Sequence, residues 1–134
     1  TYTLGFVGRL DFVPNADSAR WIVEELCPLL SKGGFAGTVR IIGKNASPKL
    51  IEAARAFPFV RVEGFVEDLA SFWSELDLML VPHLSGSGSR IKLLDALARG
   101  VPALTNDAGK DRVSPEVRPD ARLFTRETPE EWAS

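Results

Sequence analysis

The chain of 134 residues is long enough for one domain with a real core. Its composition, 45% hydrophobic and 25% charged with a net charge of −2, is that of a globular protein and offers no basic stretch suited to nucleic acid. One cysteine (Cys27) and one histidine (His83) exclude an intrachain disulfide, a cysteine metal cluster and a histidine pair.

Strand and helix patterns alternate along the chain. Tyr2–Val7 reads as a β-strand. Residues 15–30 follow with Ala19, Ile22, Val23, Leu26 and Leu30 on one helical face, and Pro28 distorts or ends that helix early. Cys27 falls on its apolar side and reads as core. Lys32-Gly33-Gly34 breaks the helix. Residues 38–42 form a second strand closed by Gly43. Residues 47–57 form a helix with Ser47 as N-cap and Pro48 at the first helical position. A short third strand at 60–62 precedes a helix at 68–76 capped by Asp68. The apolar run within 77–81 fits a buried parallel strand. A helix at 89–99 ends at Gly100, followed by Pro102. A fifth strand at 103–105, a loop at 109–119, a sixth strand at 122–124 and a helix start at 128–134 complete the series. Trp21 and Trp73 lie in amphipathic helices and read as packing residues.

Short strands alternating with helices predict βαβ units: an α/β, Rossmann-like, doubly wound parallel sheet with helices on both faces. Ligands of such sheets bind beyond the carboxyl ends of the strands, at the point where the strand order reverses. The most informative stretch is Gly86-Ser-Gly-Ser-Arg-Ile-Lys-Leu-Leu-Asp95. A small-residue loop runs into a helix whose first turns carry Arg90 and Lys92, where the helix dipole favours acidic residues. Two cations there are explained by an anion on the helix end, where exposed backbone N–H groups and flexible glycines supply what a phosphate site needs. The bland alternative is a polar loop in which Ser87 or Ser89 caps a helix. Gly8-Arg9, at the end of the first strand, places a second cation on the same expected side; if the first and fourth strands flank the reversal point, Arg9, Arg90 and Lys92 converge on one anion. Alone, Arg9 is equally a solvated strand-end residue. Asp95 has two readings of equal standing on spacing: a hook for a sugar hydroxyl, or a surface partner of Lys92 or Arg99. Asp11 reads as a turn residue and Asn15 as an N-cap, and either could line a ligand. Gly64-Phe65-Val66, after the third strand, could offer backbone groups to a nucleobase or form a tight turn with Phe65 in the core. His83 is a lining residue at most. No catalytic triad or carboxylate pair stands out.

Three segments together resemble the C-terminal half of GT-B-fold, family-4-like (group 1) glycosyltransferases: GFVGRLD with Pro14-Asn15 (5–15), VRVEGFVED (60–68) and SGSGSRIKLLDALARGVP (85–102), joined by VRIIG (39–43). The Pro14-Asn15 and GSGSRIK forms are most similar to bacterial exopolysaccharide-type sugar transferases of that group. The resemblance spans about residues 3–109 and implies a nucleotide-sugar donor site. Arg9 and Lys92 would then bind the diphosphate as the catalytic cations, helped by Arg90 and by the backbone at Gly8 and Gly88–Arg90. Asp95 falls on the family's ribose-binding glutamate. Phe65 and Val66 would lie along the base. The family's other glutamate, near the donor sugar, falls on Ser87, a departure that bears on sugar recognition.

The resemblance also implies transfer with retention at the anomeric carbon, with no metal and no further cofactor. It implies one donor-binding domain from a longer two-domain chain, whose N-terminal domain would bind the acceptor, so that this segment alone transfers nothing. No nucleic-acid partner is expected. No apolar run approaches the ~20 residues of a membrane span, and no secretory leader is visible. The expected setting is cytoplasmic, with room for peripheral contact at the inner membrane in the full-length protein. The alternatives carried by the same residues are a non-catalytic nucleotide-binding or regulatory module and a GT-B-type sugar-nucleotide epimerase.

Overall fold

The computed structural model of the protein describes residues 2–64, 66–84, 88–113 and 122–133. Six strands form one sheet: β1 (Tyr2–Val7), β2 (Gly37–Ile42), β3 (Val60–Glu63), β4 (Leu78–Val81), β5 (Ala103–Thr105) and β6 (Leu123–Thr125). Every pairing is parallel, and the strand order is β3-β2-β1-β4-β5-β6. This is the expected doubly wound α/β sheet, and its order reverses between β1 and β4.

The two faces follow from strand alternation. Phe6, Val39, Ile41, Leu80 and Leu104 belong to one buried group, packed under the first long helix and the C-terminal helix. Ile42, Met79, Val81, Ala103 and Leu123 belong to the other, under the helices that follow β3 and β4. The first face is covered by α1 (Val13–Trp21), a π-helical segment (Ile22–Leu26) and α2 (Cys27–Lys32), which run on as one helical unit. Pro28 accounts for the π turn. It has no N–H to donate, and its ring would collide with the carbonyl four residues back, so the backbone widens there rather than stopping. Cys27 sits in this core, and burial pushes its thiol up to about 12, which leaves it unreactive.

Helix α3 (Pro48–Ala54) is capped by Ser47, whose hydroxyl accepts from the Leu50 N–H at 3.1 Å. Helix α4 (Leu69–Glu75) is capped by Asp68, and α5 (Gly88–Ala98) ends at Gly100, which has φ +76°. The segment at 109–119 expected as loop begins instead inside a short helix, α6 (Asp107–Lys110); the Asn106 side chain accepts from the Gly109 N–H and nucleates that turn. Residues 114–121 lie outside the described residues. Helix α7 (Pro129–Ala133) returns from the β6 edge to the first face, where Trp132 meets Trp21 edge to face at 4.9 Å between centroids.

One buried-edge network ties α4 to the sheet. Arg40 on β2 donates twice to Glu63 on β3 (2.7 and 2.9 Å) and once to Glu75 of α4 (2.9 Å), and its guanidinium lies 5.2 Å from the Phe72 ring centre. Hydrogen bonding from Arg40 holds the Glu63 carboxyl below its ordinary value of 4.5. A depressed carboxyl contributes stability that is complete above the unfolded pKa and is lost as pH falls through the folded one. The expected result is that the thermal stability advantage of the wild type over Glu63→Gln, measured from pH 6 to pH 3, shrinks steadily below about pH 4.5. A pH-independent difference would show that the network carries no charge-dependent stability.

Candidate functional site

The reversal point lies between β1 and β4, which pair through Leu4 with Leu78 and Gly5 with Met79. Beyond their carboxyl ends, helices from opposite faces of the sheet approach each other. Ser18 of α1 donates its hydroxyl to the Pro82 carbonyl at 2.9 Å, closing α1 onto the end of β4. Lys92 of α5 reaches across the same opening and donates to Asn15 Oδ1 of α1 at 2.7 Å. Its ammonium stands 5.6 Å from the centre of the buried Phe6 ring. Among the described residues Lys92 forms no ion pair. Burial lowers its pKa from the ordinary lysine value. A partly buried cation with a neutral partner and an aromatic floor is a site that an anion would complete.

The loop after β1 is built on close backbone approach. Gly8 donates to the Ile42 carbonyl at 3.0 Å, and Leu10 to Lys44 at 2.9 Å. A Cβ on Gly43 would strike the Gly8 carbonyl, so that position requires glycine, and one on Gly8 would come within 2.7 Å of the Asn15 amide and displace it. Arg9 projects from this loop into solvent, 71% exposed, and donates to both carboxylate oxygens of Asp11. Asp11 also accepts from Asn45, a left-handed residue at φ 66°, at 3.1 Å. Arg9, Asp11, Phe12 and Asn15 line an open cleft of about 300 Å³. Asn15 thus belongs both to this cleft and to the Lys92 contact, and it links two of the three expected cations; the side chain of the third, Arg90, lies outside what the structure describes.

The sequence assigned Asn15 differently. It was expected as N-cap, but α1 starts at Val13 with Phe12 in the cap position, and Asn15 sits inside the first turn. Pro14 suits an early helical position, which moves the start towards the N-terminus. Asp11 lies in a turn, as expected, and serves as the partner of Arg9. Neither the Asn15–Lys92 bond nor the Asn45–Asp11 bond is legible in local sequence, because the residues lie 77 and 34 positions apart.

Gly88, Ser89 and Arg90 form the first turn of α5, so Ser89 lies within the helix and is not its cap. Asp95 is exposed on α5. Neither expected ion-pair partner engages it: Lys92 is on Asn15, and the Arg99 guanidinium lies 5.2 Å from the Trp73 ring centre. Val66 packs against the core group that includes Ile42 and Phe72, on the β3 side of the sheet. Ser87 and Phe65 lie outside the described residues. His83 follows β4, with its carbonyl accepting from Asn106 at 3.0 Å, and its pKa is lowered by burial and by Arg112. Among the described residues no group of three or more His, Cys, Asp or Glu is placed to hold a metal ion. No described helix is long and apolar enough to cross a membrane.

A search of curated proteins returns no match. Among solved structures, the chain is similar to a 3-hydroxyacyl-CoA dehydrogenase from Archaeoglobus fulgidus DSM 4304, at 14% identity and a TM-score of 0.47. That similarity covers 98% of this chain and 44% of the other, so the chain spans less than half the length of that protein. A family model described as glycosyl transferases group 1 matches residues 1–134. The match runs the full length of the sheet and includes both loops of the β1–β4 opening, and the chain belongs to the group 1 glycosyl transferase family.

Proposed function

We propose that this domain is the donor-binding half of a retaining glycosyltransferase that works without a metal ion, and that the β1–β4 opening receives the diphosphate of a nucleotide sugar. The observation that carries this reading is Lys92: a partly buried cation with no counter-charge among the described residues, held at the strand-order reversal of a sheet from a sugar-transferring family. In this reading Lys92 meets the diphosphate directly. Arg9 exchanges Asp11 for a phosphate oxygen, an exchange that costs little because an exposed ion pair is weak. The first turn of α5 adds backbone donors and its positive end. These fixed charges act most strongly as the nucleoside diphosphate departs and negative charge builds on the bridging oxygen. Asp95, free of Lys92 and Arg99, takes a ribose hydroxyl. The acceptor is held by a separate domain of the full-length protein.

Calorimetric titration of the full-length protein with UDP, GDP and ADP, each beside its nucleoside, tests this reading. At least one diphosphate is expected to bind saturably and far more tightly than its nucleoside. A folded protein that binds none of the three would end the proposal. Ser87, standing where the family resemblance expects a glutamate, favours a second reading as a nucleotide-binding module without turnover. Release of nucleoside diphosphate from a nucleotide sugar in the presence of acceptor decides against that second reading.

A further inference from the structure

We infer that Asn15 is the positioning residue of this site: its side-chain oxygen holds the Lys92 ammonium across the β1–β4 opening with no counter-charge among the described residues, ready to take a diphosphate in that role. The inference rests on the donor-site reading above and adds a residue to it. An ammonium can only donate, so the Asn15 amide must present its oxygen to Lys92, which it does at 2.7 Å. Gly8 leaves room for the amide behind it: a Cβ there would stand 2.7 Å from its nitrogen and 2.8 Å from its carbon, so a larger residue would push the side chain out of this position. Phe6 supports the ammonium from below at 5.6 Å.

The choice of an amide is the informative feature. A carboxylate at this position would bind Lys92 more strongly and stabilise the domain, but it would cancel the charge that the ligand needs. An aliphatic residue would leave the ammonium free to swing towards solvent. A neutral acceptor keeps both position and charge.

The test is a comparison of Asn15→Asp, Asn15→Leu and Lys92→Met in the full-length protein, with diphosphate affinity and thermal stability measured on each. Asn15→Leu is expected to lower diphosphate affinity roughly three- to tenfold, the worth of one hydrogen bond, with nucleoside affinity unchanged. Asn15→Asp is expected to lower diphosphate affinity roughly tenfold or more while raising the melting temperature, because its carboxylate pairs with Lys92. Opposite movement of stability and affinity marks a positioning role, since a purely structural residue would move both together. If Lys92→Met weakens diphosphate binding while Asn15→Asp binds as tightly as wild type, the inference is wrong and the donor-site reading stands. If Lys92→Met leaves diphosphate binding unchanged, that reading fails and the inference fails with it.

Discussion

Lys92→Ala in the full-length protein is expected to lower affinity for the nucleoside diphosphate about 10- to 100-fold, with the affinity for the bare nucleoside unchanged. The magnitude follows from the worth of a hydrogen bond to a charged group, about 1.5–3 kcal/mol, at about 1.4 kcal/mol per tenfold. The upper part of that range applies because the ammonium is already held in place by Asn15 and partly desolvated over Phe6, so the ligand need not order it. Sugar transfer should fall further than binding, since the leaving diphosphate carries more charge in the transition state than in the bound donor. Lys92→Met separates charge from packing, because it keeps the apolar stem. Calorimetry on the two variants checks this: equal losses assign the effect to charge, while near-wild-type affinity in Lys92→Met would assign it to packing and remove Lys92 from the phosphate site.

Trp132→Ala should destabilise the domain by about 3–5 kcal/mol, the range for deleting a buried large aromatic. Trp132 is 6% exposed, packs edge to face on Trp21 and donates its indole N–H to the Arg126 carbonyl at 2.8 Å. It is the main anchor of the short helix α7 on the first face. The Thr128–Glu131 capping box that begins α7 cannot hold a five-residue helix without that anchor. The expected drop in melting temperature is roughly 10 °C or more. Trp132→Phe should recover part of it by keeping the ring contact while losing the hydrogen bond. A loss below about 1 kcal/mol in denaturant unfolding of Trp132→Ala would show that α7 is dispensable to the core.

The fold was legible because its signals are local. Apolar runs mark β1 to β5, Ser47 and Asp68 cap the helices they were expected to cap, and Gly100 ends α5 in the left-handed conformation that glycine tolerates. Helix α6 was not legible, because Gly109 and its polar neighbours read as loop, and the turn depends on the Asn106 side chain. Strand order was legible only as an expectation of class. That β1 and β4 are neighbours is a matter of long-range pairing, which no local pattern encodes.

The site divides in the same way. The cations at 9 and 92 were visible as charges out of place, one at a strand end and one in the first turns of a helix. Their setting was not. Arg9 turns to Asp11, a contact between near neighbours that sequence spacing permits without requiring. Asn15 was visible only as a helix-start residue, and its contact with Lys92 arises because the doubly wound topology brings α1 and α5 to one opening from opposite faces.

A crystal structure of the full-length protein with a bound nucleoside diphosphate would show whether the β1–β4 opening is a diphosphate site organised by Lys92. A phosphate oxygen is expected within hydrogen-bond distance of Lys92 Nζ, with Asn15 still in contact and Arg9 released from Asp11. A diphosphate bound elsewhere on the domain, with the Lys92–Asn15 contact undisturbed and facing no phosphate, would contradict that assignment.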